Sequence, residues 1–307
     1  MLNKKIIFSI GSYRYLKHEI LEADDFENGE TEVRIFPDGE RYQRILTSVS
    51  GRDVVLVGGT VADSDTLEMY DLAYALIKYG ARSIHLVFAY FGYSTMERAR
   101  FSGEVVTAKS RAVIFSSLPR TSAGNFFVFF DLHSEGIPYY FEGQSVIKHI
   151  YCTPIVSQVA LKLAGRVFVL ACTDAGRAKW VERLANDMGV NAAFVFKRRS
   201  SGEKTEITSI SADVEGKDVV IYDDMIRTGG SLINAAQAYK DAGARKVYAI
   251  TTHGLFSNDA VNKIRASGLF EKLVATNSHP NSYQIRDPFI HIESIAPLVV
   301  KQLKMDV

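Results

Sequence analysis

Two adjacent carboxylates, Asp223 and Asp224, follow the apolar run Val219-Val220-Ile221-Tyr222 and precede Met225-Ile226-Arg227-Thr228-Gly229-Gly230-Ser231. Carboxylates accept hydrogen bonds from sugar hydroxyls and bind hard divalent cations, but they repel phosphate. The glycines and hydroxyls behind them have the opposite preference. Backbone N–H groups in such a loop, and at the start of the helix expected from Leu232 onward, converge on an anion. One segment can therefore hold both ends of a phosphorylated sugar: Asp223 and Asp224 its hydroxyls, and Thr228, Gly229, Gly230 and Ser231 its phosphate. The plain alternative is a capped helix start. Two carboxylates at the end of a buried strand are costly without ligands, which favours the sugar-phosphate reading.

A second group of residues carries positive charge. Lys197-Arg198-Arg199 ends a strand pattern and runs into the polar stretch Ser200-Ser201-Gly202-Glu203-Lys204, which reads as a mobile loop. Alternation along the strand puts Lys197 and Arg199 on one face and Arg198 on the other. A lid that brings cations over phosphates would exclude water from a phosphoryl transfer. The bland reading is a solvated basic run. Phe36-Pro37-Asp38-Gly39-Glu40 reads plainly as a turn.

The elements that must position these residues repeat. Gly51-Arg52-Asp53-Val54-Val55-Leu56-Val57 resembles Gly216-Lys217-Asp218-Val219-Val220-Ile221-Tyr222, and Gly80-Ala81-Arg82-Ser83-Ile84 resembles Gly243-Ala244-Arg245-Lys246-Val247. An amphipathic helix lies between each pair. Met69, Leu72, Ala73, Leu76 and Ile77 form the apolar stripe of the first, with Asp65 and Glu68 suited to its start and Gly80 to its end. Leu232, Ala235, Ala236 and Tyr239 do so in the second, with Gly243 as the stop. Strand–helix–strand units with nearly continuous apolar strands predict parallel sheets. The expected architecture is α/β: two tandem domains from a duplication, residues 1–150 and 151–291, with a last helix at 292–307 packing back on the first. Gly58-Gly59-Thr60 stands where the second half carries Asp223-Asp224, so the sugar-phosphate loop belongs to the second domain alone.

Composition supplies bounds. The chain has 307 residues, 47% of them hydrophobic, and a formal net charge of +1, so bulk charge gives no argument for nucleic acid or membrane. Cys152 and Cys172 match neither a disulfide framework nor a zinc site, and a reducing cytoplasm fits them. Met1-Leu2-Asn3-Lys4-Lys5-Ile6 is basic and then apolar, but Gly11-Ser12-Tyr13-Arg14 ends the apolar run at once, so a first strand is expected rather than a signal peptide.

The acidic-glycine loop resembles the phosphoribosyl-diphosphate loop of type I phosphoribosyltransferases. The rest of the chain narrows the resemblance to the ribose-phosphate pyrophosphokinases. Phe36-Pro37-Asp38-Gly39-Glu40 is similar to their ATP-binding loop, and Tyr90-Phe91-Gly92-Tyr93 to a tetrapeptide they carry. Thr107-Ala108-Lys109, Asp131-Leu132-His133, Asp174-Ala175-Gly176, Lys197-Arg198-Arg199 and Thr252-His253-Gly254 fall in family order across essentially the whole chain. The resemblance implies transfer of a diphosphoryl group from MgATP to the anomeric hydroxyl of ribose 5-phosphate, with AMP leaving. It implies Phe36, Asp38, Gly39 and Glu40 for ATP, and His133 and Asp174 for Mg2+. Asp223, Asp224, Arg227, Thr228, Gly229, Gly230 and Ser231 would hold ribose phosphate, and Lys197, Arg199 and His133 would serve catalysis. Imidazole is a modest Mg2+ ligand, so part of the role expected of His133 is indirect. A homo-oligomer, dimer or hexamer, is also implied.

The chain departs from the family in three places. Thr95 and Met96 replace an arginine and a glutamine that contact ATP, and Arg98 or Arg100 is the candidate to compensate. Arg227 replaces an aspartate, reversing charge beside the expected 5-phosphate. Its planar fork suits a pyrophosphate, which raises ADP-ribose as an alternative acceptor. Phe101 and Gly103 stand where basic residues are usual. Two further readings compete: a phosphoribosyltransferase, which would not need the Phe36–Glu40 loop, and a silent regulatory homologue, which His133, Asp174, Lys197 and Arg199 argue against.

Overall fold

The computed structural model describes residues 4–173, 175–199 and 205–305, and the chain divides into two compact units: residues 1–151 with 296–307, and residues 152–295. The first unit runs β1 (Ile6–Ser9), α1 (Arg14–Ala23), β2 (Glu27–Asn28), β3 (Thr31–Ile35), β4 (Arg41–Ile45), β5 (Asp53–Gly59), α2 (Asp63–Lys78), β6 (Ser83–Tyr90), α3 (Thr107–Ser116), β7 (Asn125–Phe130) and β8 (Val146–Ile150). Its sheet has the order β2-β1-β5-β6-β7-β8, parallel throughout, and β3 and β4 form a separate antiparallel hairpin.

The second unit runs α4 (Thr153–Ala164), β9 (Val169–Cys172), α5 (Ala178–Met188), β10 (Asn191–Ala193), β11 (Val195–Arg199), β12 (Thr205–Ile210), β13 (Asp218–Ile226), α6 (Gly230–Asp241), β14 (Lys246–Gly254), α7 (Ala260–Ala266), β15 (Lys272–Thr276), α8 (Pro280–Gln284) and β16 (Ile290–Glu293). Its sheet order, β10-β9-β13-β14-β15-β16, is again all parallel. The hairpin β11–β12 takes the place of β3–β4 in the repeat. The two units thus share one topology, including a hairpin inserted between their second and third sheet strands. The last helix, α9 (Ala296–Met305), belongs to the first unit and packs against α1.

Burial explains the strand sequences. Every residue of β5 and of β6 is buried, as expected when helices cover both faces of a parallel sheet. Around β13 the period of two sorts side chains to opposite faces. Val219 and Ile221 join the cluster under α6, with Leu232, Ala235, Ala236 and Tyr239. Val220 and Tyr222 join the cluster under α4 and α5, with Val156, Val159, Val181 and Leu184.

Three boundaries differ from the sequence expectation. β13 continues through Asp223 and Asp224 to Ile226, because Met225 and Ile226 pair with His253 and Gly254 of β14; the carboxylates lie within a strand rather than after it. Helix α6 opens at Gly230, two residues before Leu232. The terminal helix starts at Ala296, since Ile292 and Glu293 extend the sheet beside Ala275 and Thr276.

Candidate functional site

Asp223 is half-buried and Asp224 is 1% exposed. The segment that follows β9 supplies partners to both. Thr173 Oγ1 donates to Asp223 Oδ2 at 2.8 Å. Arg177, at the start of α5, donates through Nε to Asp224 Oδ1 at 3.2 Å, and its Nη2 lies 2.9 Å from Asp224 Oδ2. Alternation puts Asp224 on the same face as Tyr222, the α5 side, where Arg177 waits. Sequence reasoning missed both partners. A signal for Arg177 existed: a cation at a helix start runs against the macrodipole and needs a local anion.

Behind the carboxylates the chain turns at Gly229, φ +80°, into α6. The first turn of α6 holds no acidic residue and its cap makes no side-chain hydrogen bond. Arg227, Thr228, Gly230 and Ser231 are exposed, so these groups lie at the surface around that helix start. A side chain at Gly229 would meet Ile264 Cγ1 at 2.8 Å.

The matching place in the first unit is built differently. Gly58 and Gly59 occupy the positions of Asp223 and Asp224. A Cβ on Gly59 would lie 2.3 Å from the Tyr13 hydroxyl, and one on Gly58 would lie 2.8 Å from Met69 Sδ. The helix start beyond them is filled by the chain's own carboxylate. Asp65 Oδ2 accepts from Ala62 N at 3.0 Å, and Asp65 Oδ1 accepts from Ser12 Oγ at 2.9 Å. Glu68, expected near that start, is instead buried and paired with Arg41 at 2.6 Å while accepting from Gly11 N.

Next to the carboxylates, the ends of β14 and β15 carry a buried polar network. Tyr222 Oη lies 3.1 Å from Thr252 Oγ1, His253 Nδ1 lies 2.8 Å from Ser278 Oγ, and Ser278 Oγ donates to the Thr252 carbonyl at 2.9 Å. His279 Nδ1 accepts from Asn281 N at 3.1 Å. Burial, with His253 nearby, pushes the His279 pKa down to about 3. His279 is therefore neutral at physiological pH.

The other expected residues fall as follows. Phe36, Asp38, Gly39 and Glu40 form the exposed tip of β3–β4; Glu40 N donates to Asp38 Oδ1 at 3.1 Å, and Gly39 takes φ +92°. Thr95 is half-buried, Met96 is exposed, and exposed Arg98 lies 3.4 Å from Glu97. His133 is exposed, just beyond β7. Its turn is held by Leu132 N donating to His149 Nε2 at 2.9 Å, with Asp131 buried at φ +35°. Lys197 and Arg199 lie on β11, in register with Ile207 and Thr205 of β12. Asp174 and the stretch 200–204 lie outside the described residues.

A metal is tested against these donors. Mg2+ is held by one or two carboxylates together with waters and substrate phosphates, so it needs no cage of protein ligands. Among the described residues no group of three or more His, Cys, Asp and Glu could hold a metal. Half-buried Asp223 is an oxygen donor of the right kind, and the site fits Mg2+ brought in with phosphates. No helix among the described residues is long and apolar enough to cross a membrane.

Two parallel units of one topology, one of them carrying paired carboxylates within the strand that leads to an uncapped helix, define a protein with two phosphoribosyltransferase-like domains. Residues 5–118 match the model of the N-terminal domain of ribose phosphate pyrophosphokinase, and residues 176–303 match the phosphoribosyl synthetase-associated domain. The chain is 31% identical to a ribose-phosphate pyrophosphokinase of Synechococcus elongatus, across 95% of this chain and 88% of the relative. It is 29% identical to that of Helicobacter hepaticus, across 97% and 94%. The chain belongs to the ribose-phosphate pyrophosphokinase family. A phosphoribosylpyrophosphate synthetase structure from Mycobacterium smegmatis shares the fold, with a TM-score of 0.85 over 99% of both chains at 24% identity.

Proposed function

We propose that the chain is an ATP-dependent diphosphotransferase that makes phosphoribosyl diphosphate and AMP from ribose 5-phosphate and ATP. The observation that carries this reading is the contrast between the two helix starts. Asp65 occupies the one in the first unit, whereas that of α6 has no acidic residue and follows two carboxylates. An anionic sugar suits only the second.

In the proposed reaction the anomeric oxygen attacks the β-phosphorus of ATP. The bond from that phosphorus to the bridging oxygen on the α-phosphate breaks, and AMP keeps the oxygen. The hydroxyl proton passes to solvent. Asp223 and Asp224 accept the ribose hydroxyls, and the backbone at Thr228, Gly229, Gly230 and Ser231 holds the 5-phosphate. Little covalent work falls to the protein in such a transfer, so orientation and neutralisation of charge dominate. Lys197 and Arg199 are the proposed stabilisers of the oxygens that gain charge. Phe36, Asp38, Gly39 and Glu40 take adenosine, with Thr95, Met96 and Arg98 beside it. This assigns ATP recognition to the first unit and the acceptor to the second. His133 of the first unit and Asp174 of the second are each proposed as Mg2+ ligands, and the metal would supply charge neutralisation on the phosphates when bound.

Arg227 lies on the exposed loop before Gly229 and would meet the phosphate side of the acceptor. The purified chain, MgATP and ribose 5-phosphate should yield AMP and phosphoribosyl diphosphate in equal amounts, with ADP-ribose a poor substitute. No AMP with ribose 5-phosphate would defeat the reading, and faster turnover with ADP-ribose would reassign the acceptor.

A further inference from the structure

The guanidinium of Arg177 uses Nε and Nη2 on the two oxygens of Asp224, at 3.2 Å and 2.9 Å. The Arg177 side chain is 15% exposed and that of Asp224 is 2% exposed, so the pair sits away from water. A planar fork on both oxygens fixes the plane of a carboxylate as well as its place, which a single donor does not. Asp223 accepts from the Thr173 hydroxyl on Oδ2. Both partners, Thr173 and Arg177, come from the short segment between β9 and α5, so they set how the two carboxylates are oriented.

We propose that Arg177 is a positioning residue for the acceptor, orienting Asp224 toward the ribose hydroxyls; this rests on the reading that the end of β13 holds the ribose. Substrate selectivity for a ribose with both ring hydroxyls then depends on a residue outside the acidic-glycine loop. Removing the fork takes a paired cation away from a buried carboxylate, which costs more than one hydrogen bond.

The test is calorimetric titration of the full-length chain with ribose 5-phosphate, together with KM for each substrate. Arg177→Ala is expected to weaken ribose 5-phosphate binding about tenfold or more and to raise its KM in step. The KM for ATP should stay within about twofold of wild type. Arg177→Lys, which keeps the charge without the fork, should fall between the two. Should Arg177→Ala not fold, the lysine variant carries the test alone, with a loss of about threefold expected. Ribose 5-phosphate binding within about twofold of wild type in a folded Arg177→Ala or Arg177→Lys variant would overturn the proposal, as would equal losses for both substrates. If the wild-type chain itself does not bind ribose 5-phosphate, the site reading fails, and wild type and variant then fail alike.

Discussion

Trp180 stacks on Tyr222, ring centroids 4.2 Å apart and planes within 19°. Tyr222 immediately precedes Asp223, and Trp180 lies one turn along α5 from Arg177. The chain has a single tryptophan, so its emission reports on this one contact. Ribose 5-phosphate is expected to produce a saturable change in emission. The change should vanish in Asp223→Asn and be absent in Trp180→Phe. A flat titration in a wild-type chain that turns over would break the link between α5 and the acceptor end of β13.

Gly229 is held by two independent constraints, a φ of +80° and the approach of Ile264. Alanine there meets backbone strain and a side chain 2.8 Å away. Gly229→Ala is expected to cost about 2 kcal/mol of stability. It should also raise the KM for ribose 5-phosphate, because the turn sets the first N–H groups of α6. Urea unfolding and steady-state kinetics measure the two effects separately.

His279 gives a pH dependence with a defined sign. Its folded pKa is about 3, down from 6.5, so it stays neutral in the folded chain while the unfolded chain takes up a proton below about pH 6.5. The stability it contributes is present above that pH and lost as pH falls toward 3. The expected loss is about 2 kcal/mol between neutral pH and about pH 5. His279→Asn keeps an acceptor for Asn281 N and should flatten this part of the urea-midpoint profile. An unchanged slope would show that other groups set it.

Lys197 and Arg199 are expected to act on the transition state more than on binding. Alanine at either should lower kcat about a hundredfold or more, by analogy with removal of one donor from a developing oxyanion. Binding of ribose 5-phosphate should change little. Single-turnover AMP formation with calorimetry separates these effects. Loss of binding with kcat intact would make them substrate anchors instead.

Much of this architecture is written in short-range patterns. The repeats at Gly51 and Gly216 and the helix stripes between strands forecast two parallel units, because burial on both faces leaves continuous apolar strands. Asp223, Asp224 and Gly229 stand out in the sequence as candidates because two carboxylates in an apolar run and a glycine before a helix are chemically conspicuous. Arg177 and Thr173 were not, since their roles depend on β9 pairing beside β13. Glu68 misled, because a carboxylate near a helix start resembles a capping residue until Arg41 arrives from the hairpin. The end of β13 was placed short because only its pairing with β14 carries the strand past two charged residues.

The placement of α9 reverses the order of completion along the chain. Residues 152–295 form one contiguous unit, whereas the other unit needs α9 against α1. Lys304 pairs with Asp24, and Lys5 Nζ donates to the Leu303 carbonyl, so the last turn is fastened to the beginning of the chain. On the ribosome, the half made first is the half finished last. Until α9 emerges, the face of α1 that it packs against stays uncovered. Deleting α9 would leave the second unit's own residues intact and strip the first of its closing helix.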